Sequence, residues 1–243
     1  MGVLFEQLFD DESSTYTYLL ADLDAGIAAL VDPVLEQLER DLARIDALRL
    51  SLRHTIETHI HADHVTSGNR LAELRGSKPI VQVDSAVTCE AVRVAHGAVF
   101  HIGQFVLHAL ATPGHTPESL SFLVDAPGEP SRVLTGDALL IDSCGRTDFQ
   151  GGDAGTLWDS VHTQLWPLAD ELLVFPAHDY HYRSHSTIGK ERASNARFTA
   201  ATKPRTRADF IELMAHLDLP PPKKLAEAVP RNLACGKPLV RQG

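Results

Sequence analysis

The 243-residue sequence contains few cysteines. The three present, Cys89, Cys144 and Cys235, are widely spaced and form no C-x-x-C pair. This spacing argues against a disulfide framework and against a cysteine zinc site. It fits a reducing compartment, so we expect a cytoplasmic protein with no disulfide and with Cys144 as a small buried apolar side chain.

The sequence also lacks basic charge and long apolar runs. Its net charge of −10 offers no basic surface for nucleic acid or an anionic membrane. No stretch approaches the roughly 18 apolar residues of a membrane span, and the first residues do not resemble a signal peptide. With 44% hydrophobic and 22% charged residues, the composition is that of an ordinary folded protein. The length suits one large α/β domain.

Apolar segments alternate with helical patterns along the chain. Strand-like segments are predicted at residues 16–20, 26–31, 52–58, 80–83, 105–111, 119–124, 133–134 and 172–175. Helical patterns are predicted at residues 34–50, 69–75 and 157–165, with mostly helix and loop from 187 onward.

Four of these predicted strands lead to a potential metal ligand: His59, His115, Asp137 and His178. A sheet fixes the bases of the loops that follow its strands, so α/β folds place their chemistry there. Taken singly, each of the last three has an ordinary structural explanation, as a hydrogen-bonded histidine or a helix N-cap. Their shared placement favours one metal site.

The strongest single pattern is THIHADH at residues 58–64, which contains His59, His61, Asp63 and His64. Residues i and i+2 of a strand point to the same face, so His59 and His61 are expected to face one site. Imidazole and carboxylate groups suit zinc, iron or manganese. The pattern therefore predicts an enzyme that holds a catalytic metal ion.

Together these residues resemble the metallo-β-lactamase superfamily over nearly the whole chain. The resemblance implies an α/β fold, an αββα sandwich. It also implies a single domain over residues 1–243, with a C-terminal tail from about residue 220 and no rhodanese domain. Four stretches are more specifically similar to the persulfide dioxygenase (sulfur dioxygenase) family: 135–141 (TGDALLI), 144–150 (CGRTDFQ), 176–180 (PAHDY) and 228–236 (AVPRNLACG).

That family resemblance implies one non-haem Fe(II) per chain, held by His59, His115 and Asp137. Two histidines and one carboxylate on one face leave positions open for substrate and O₂. The implied reaction oxidises glutathione persulfide with O₂ and water to sulfite and glutathione. The resemblance also suggests a homodimer.

The other residues of the motifs receive supporting roles from the same resemblance. His61, Asp63, His64 and His178 bind metal in dinuclear relatives, and here they are expected to hydrogen-bond around the ligands. A second metal remains open, because every residue for it is present.

Glutathione carries two carboxylates, so local positive charge is expected at the substrate site. The candidates are Arg146, Tyr180 and Arg197. Alternatively, Arg146 pairs with a nearby aspartate, Asp148 or Asp153, and Arg197 is an exposed helix charge. The chain departs from the family pattern at residues 182–183, where Tyr-Arg stands in place of the frequent Gly-Phe.

Two other functions remain open from the sequence. One is a glyoxalase II-like thioesterase, which would use two metals and a bridging hydroxide on a glutathione thioester. The other is a metal-dependent sulfur sensor or binding module without turnover.

Overall fold

The computed structural model describes residues 2–200 and 203–239. These residues form two compact units. Unit 1 comprises the described residues up to Val94, the segment His101–Phe105, and the described residues from Pro220 onward. Unit 2 comprises Ala95–Phe100 and the described residues between Val106 and Leu219.

The strands, in chain order, are β1 (Val3–Asp10), β2 (Thr15–Asp22), β3 (Ile27–Val31), β4 (Ser51–Ile56), β5 (Lys78–Gln82), β6 (Val92–Val94), β7 (Val99–Ile102), β8 (Phe105–Ala111), β9 (Leu120–Asp125), β10 (Arg132–Gly136), β11 (Leu173–Pro176), β12 (Ser186–Thr187), β13 (Thr199–Ala200) and β14 (Lys203–Pro204). The α-helices are α1 (Leu38–Ala47), α2 (Gly68–Arg75), α3 (Ala154–Ser160), α4 (Ile188–Ser194), α5 (Arg207–Ala215) and α6 (Leu225–Leu233). A 3₁₀-helix spans Leu35–Gln37 and a π-helix spans Val161–Leu165.

Unit 1 is built on a six-stranded sheet with the order β1-β2-β3-β4-β5-β6. The first three strands are antiparallel, whereas β3, β4, β5 and β6 run parallel. Parallel neighbours need a crossover, and α1 provides it between β3 and β4 by burying Ile45 against Leu19, Leu30 and Leu52. Since β3 and β4 are parallel, the residues that follow them meet at one edge of the sheet.

Unit 2 also brings the carboxyl ends of several strands to one edge of its sheet. β8, β9 and β10 are antiparallel neighbours, and β10 and β11 are parallel. β8, β10 and β11 therefore run in one direction, and their carboxyl ends lie at the same edge. The segments after them contain His115, Asp137 and His178.

Most elements expected from the apolar patterns are present. The predicted helix over 34–50 is a 3₁₀ turn followed by α1. The predicted helix over 157–165 begins earlier, at Ala154, because the Asp153 side chain accepts a hydrogen bond from Thr156 N and caps it. Residues 225–233, expected in the tail, form α6. Among the described residues, no helix is long and apolar enough to cross a bilayer.

The expectation of no disulfide is wrong, because Cys89 and Cys235 are bonded to each other. They are 146 residues apart in sequence, and the return of α6 to unit 1 brings them together, which spacing alone does not reveal. The third cysteine behaves as expected. Cys144 is buried in the core of unit 2, and burial raises its thiol pKa to about 12.

Candidate metal centre

In unit 1, a chain of hydrogen bonds orients the imidazole of His59. The Thr58 hydroxyl donates to Asp32 Oδ2 (2.8 Å), and Thr58 N donates to Asp32 Oδ1 (2.7 Å). With its proton directed to Asp32, the same hydroxyl accepts from His59 Nδ1 at 2.9 Å. The proton of His59 thus resides on Nδ1, and Nε2 is the nitrogen prepared to bind a metal.

The other residues of the motif cluster around His59. The His61 ring centroid lies 4.0 Å from that of His59 and 4.3 Å from that of His64. His64 Nδ1 lies 2.9 Å from Asp63 Oδ2. Its other nitrogen, Nε2, is buried and makes no hydrogen bond within the described structure. A buried imidazole nitrogen without a hydrogen-bond partner calls for a physical explanation, and a bound metal ion is one that fits the neighbouring ligand-type residues.

Two carboxylates that the sequence analysis missed, the buried Asp32 and the partly buried Glu57, complete this cluster. Asp32, Glu57 and His61 offer ligand atoms within 4.8 Å of one another. Burial raises the pKa of Asp32, and both burial and the charge of Asp32 raise the pKa of Glu57. Their signal in the sequence was position, since Asp32 directly follows β3 and Glu57 directly follows β4.

In unit 2, a neighbouring group orients each predicted ligand. His115 Nδ1 donates to the carbonyl oxygen of Arg146 at 2.6 Å, which leaves Nε2 as its ligand atom. His178 Nδ1 donates to Asp137 Oδ1 at 2.7 Å. The remaining ligand atoms, His115 Nε2 and Asp137 Oδ2, lie 3.6 Å apart. Two ligands each about 2 Å from one ion have such a separation, so this pair fits a divalent metal.

Two glycines, Gly145 in the 144–150 stretch and Gly114 next to His115, allow close backbone packing at the ligand residues. Gly145 N donates to the carbonyl oxygen of Asp137 at 2.7 Å. A Cβ at Gly145 would lie 2.6 Å from that oxygen and 2.8 Å from His115 Nδ1. Gly114, at φ +137°, approaches the backbone of Leu157 so closely that a Cβ would lie 2.3 Å from it. Gly145 lets the backbone pack directly against the ligand residues Asp137 and His115. Gly114 lets the backbone beside His115 pack against Leu157.

The predicted substrate residues differ in their contacts. The Arg146 guanidinium makes two 2.6 Å hydrogen bonds to Asp148, the alternative pairing expected for it, and also donates to Leu219 O. Tyr180 is 66% exposed, and its ring lies parallel to the His178 ring at 6.4 Å. Arg197 follows α4 outside any helix, is partly buried, and contacts the Ser143 hydroxyl at 3.3 Å.

A cavity of about 480 Å³ in unit 2 has Tyr180 and Arg197 in its wall, together with His178. Arg183, also in the wall, makes ion pairs with Asp142 and Asp179. Arg183, the second residue of the departure at 182–183, therefore builds part of this wall. In the sequence, the i, i+4 spacing of Asp179 and Arg183 is the pattern that could have indicated this ion pair.

Comparisons with known proteins agree on the family. The model of the metallo-beta-lactamase superfamily matches residues 10–185. The chain is 41% identical to persulfide dioxygenase ETHE1, mitochondrial, of Mus musculus, over 96% of this chain and 89% of that protein. The crystal structure of ETHE1 from Myxococcus xanthus superposes with a TM-score of 0.89 and 46% identity, covering 96% of this chain and 100% of that one.

A hydrolase relative matches less of the chain. Hydroxyacylglutathione hydrolase GloC of Haemophilus influenzae is 32% identical over 71% of this chain and 87% of that protein. The predicted α/β fold, the αββα sandwich of this superfamily, is confirmed by the family match and by the solved structure. The chain belongs to the persulfide dioxygenase family within the metallo-β-lactamase superfamily.

Proposed function

We propose that this chain is a glutathione persulfide dioxygenase, an oxidoreductase that converts glutathione persulfide, O₂ and water to sulfite and glutathione. The observation that carries this proposal is the extent of the match. A relative named persulfide dioxygenase is 41% identical over 96% of the chain, whereas the hydroxyacylglutathione hydrolase covers 71% at 32% identity. The substrate is a small molecule, as that activity requires.

The chain carries a candidate metal site, and we propose that it holds one Fe(II) through His59, His115 and Asp137. Support comes from each unit. Hydrogen bonds leave Nε2 of both histidines as the ligand atom, and Asp137 keeps one carboxylate oxygen toward His115. Two imidazoles and one carboxylate are the donor set of non-haem iron oxygenases. Bound iron would supply open positions at which a persulfide sulfur and O₂ react.

The surrounding residues fix the ligands. The Asp32 carboxylate accepts a hydrogen bond from the Thr58 hydroxyl, which in turn accepts one from His59 Nδ1. His178 Nδ1 donates a hydrogen bond to Asp137. Such supports set the tautomer and orientation of a ligand and so tune metal affinity. We assign His61, Asp63, His64 and His178 to this role. The buried Nε2 of His64 keeps a second metal as an outcome to be tested.

Substrate recognition is proposed for Arg146, Tyr180 and Arg197. Arg197 and Tyr180 line the 480 Å³ cavity, where a guanidinium and a phenol suit the carboxylate and peptide groups of glutathione. Arg146 is engaged with Asp148, so its contribution requires exchange of that partner for a substrate carboxylate.

The direct test is a substrate comparison on protein purified without O₂. O₂ uptake and sulfite release with glutathione persulfide, and no uptake with glutathione alone, would support the proposal. Hydrolysis of a glutathione thioester without O₂ uptake would replace it with the thioesterase alternative, which the GloC similarity favours. Metal binding with neither activity would favour a sensor.

A homodimer and a cytoplasmic location remain predictions. Sedimentation at several protein concentrations tests the first, and a chain of monomer mass at all concentrations would contradict it.

A further inference from the structure

The Cys89–Cys235 disulfide lies in the wall of a second cavity, in unit 1, of about 380 Å³. Both cysteines line it, with Lys78 and Lys237 as its basic residues and Glu90 as its acidic one. Cys89 is partly exposed, whereas Cys235 is 5% exposed. Cys89 is therefore the more exposed residue of the disulfide.

We propose that this cavity is a thiol-exchange site for an anionic low-molecular-weight thiol, and that the disulfide controls the metal-ligand loop of unit 1. Two exposed lysines against one glutamate favour a thiol that carries carboxylates. This site shares no residue with the metal ligands or the unit 2 cavity, and the inference goes beyond persulfide oxidation.

The exchange proceeds in two balanced steps. A thiolate attacks Cys89 Sγ, a new S–S bond forms, and the Cys89–Cys235 bond breaks with its electron pair leaving on Cys235 Sγ. That thiolate then takes up a proton. A second thiolate attacks the small-molecule sulfur of the mixed disulfide and releases Cys89 as a thiolate. In total, two small thiols are oxidised to one disulfide and the protein disulfide is reduced.

The connection to the metal-ligand loop runs through Asn232, three residues before Cys235. The Asn232 side-chain amide donates to the carbonyl oxygens of His61 (2.9 Å) and His64 (2.8 Å), and its oxygen accepts from Thr66 N (2.9 Å). All three contacts are buried. One side chain at the end of α6 thus holds the backbone of the ligand loop.

The disulfide secures this end of α6. Thr88 N donates to Leu233 O at 2.8 Å, and Asn69 N donates to Cys235 O at 2.8 Å. When the disulfide opens, these two bonds remain, together with the Asn232 contacts and a hydrogen bond from the Thr88 hydroxyl to Leu233 O at 3.3 Å. A covalent link across 146 residues of chain restricts the opened states of α6 strongly, so its loss lets α6 and Asn232 leave the loop more often.

The first experiment tests the site. Protein purified without reductant, then denatured, is expected to show one free thiol per chain, that of Cys144. Incubation of the folded protein with glutathione should give a mixed disulfide on Cys89 by peptide mass mapping. Three free thiols, or an adduct on Cys235 or Cys144 instead, would overturn the proposal.

The lysines are tested by a pair of thiols. The double variant Lys78→Gln, Lys237→Gln should slow exchange with glutathione by about tenfold and leave exchange with uncharged mercaptoethanol unchanged. Equal rates for the variant and the parent protein with glutathione would remove the lysines from the site. Equal slowing with both thiols would show a change in disulfide access rather than charge recognition, and would also contradict the proposal.

The second experiment tests the control of the loop. Hydrogen exchange of the amides at residues 61–66 should become at least about tenfold faster on reduction, while a peptide of unit 2 that contains His178 stays unchanged. Cys89→Ser should reproduce the reduced state without reductant. If that variant does not fold, the reduced parent protein still decides the outcome.

Asn232→Ala tests whether the disulfide acts on the loop through the Asn232 hydrogen bonds or by making unit 1 less stable as a whole. In that variant the loop should exchange quickly in both redox states, because the contacts that transmit the effect are gone. Unchanged exchange of residues 61–66 on reduction of the parent protein would overturn the coupling, whatever the catalytic activity proves to be.

Discussion

The ligand residues of unit 1 and unit 2 are organised in opposite ways. In unit 1, His59 is held by a hydroxyl and behind it by a buried carboxylate, Asp32. In unit 2, the carboxylate Asp137 is itself the predicted ligand, and an imidazole, His178, supports it. Unit 1 carries its residues on one seven-residue segment, whereas unit 2 gathers three separate strand ends.

The two units also differ in where their carboxylates lie relative to the histidines. In unit 1 the buried Asp32 lies behind Thr58 and the partly buried Glu57 lies near His61, whereas unit 2 presents Asp137 beside His115. A divalent cation needs nearby negative charge in either case. We expect iron binding to depend most on Asp137, the carboxylate proposed as a direct ligand. We expect it to depend less on Asp32 and Glu57.

The largest effect is expected for Asp137→Ala. It removes a ligand together with its charge, so the variant should retain no iron after anaerobic desalting and show no O₂ uptake. Metal analysis by mass spectrometry checks this. Asp125→Ala, which changes an aspartate at the exposed end of β9, serves as the control and should retain iron fully. Full iron and activity in Asp137→Ala would show the ligand assignment to be wrong.

A smaller and comparable loss is expected for the two supports. Asp32→Asn in unit 1 and His178→Gln in unit 2 should each weaken iron binding by about 10–100-fold without abolishing it. Iron titration into metal-free protein measures both. An effect of Asp32→Asn as large as that of Asp137→Ala would mean that Asp32 is itself a ligand, and the contrast between the units would disappear.

Arg146→Ala tests the guanidinium of Arg146 separately from its backbone carbonyl, which the substitution keeps. The Arg146 carbonyl still accepts from His115, so iron content should stay unchanged. Loss of the guanidinium should raise KM for glutathione persulfide by about fivefold to tenfold. Arg192→Ala, an exposed arginine paired with Asp170, is the matched control. An unchanged KM in Arg146→Ala would remove this side chain from the substrate site.

The smallest effect concerns Asp41, a buried carboxylate of unit 1 outside the ligand loop. Burial raises its pKa from 3.8 to about 6 despite the charge of Arg40. A raised pKa stabilises the folded protein below pH 3.8, and this contribution is lost as pH rises through 6. Asp41→Asn should therefore gain about 1–2 kcal/mol relative to the parent protein between pH 4.5 and 7.5. Urea unfolding at both pH values tests it, and a pH-independent difference would contradict it.

Local pattern and strand ends were sufficient to predict which residues gather in much of the candidate site. His59, His61, Asp63 and His64 lie within six positions, so proximity follows from chain connectivity. Asp137 and His178 lie close because β10 and β11 are parallel, which an alternating α/β pattern implies.

The remaining parts depend on long-range packing. Asp32 follows the predicted strand at 26–31 without any ligand pattern, and its place behind Thr58 requires the β3–β4 register. The Cys89–Cys235 bond and the Asn232 contacts require α6 to return across more than 140 residues. No periodicity encodes that return.

The most direct test is the number of iron ions needed for activity. Fe(II) is titrated anaerobically into metal-free protein, and each sample is then assayed for O₂ uptake with glutathione persulfide. The rate is expected to rise linearly and to stop rising at one iron per chain. A rate that rises until two metals are bound per chain, or no O₂ uptake at any iron content, would contradict it.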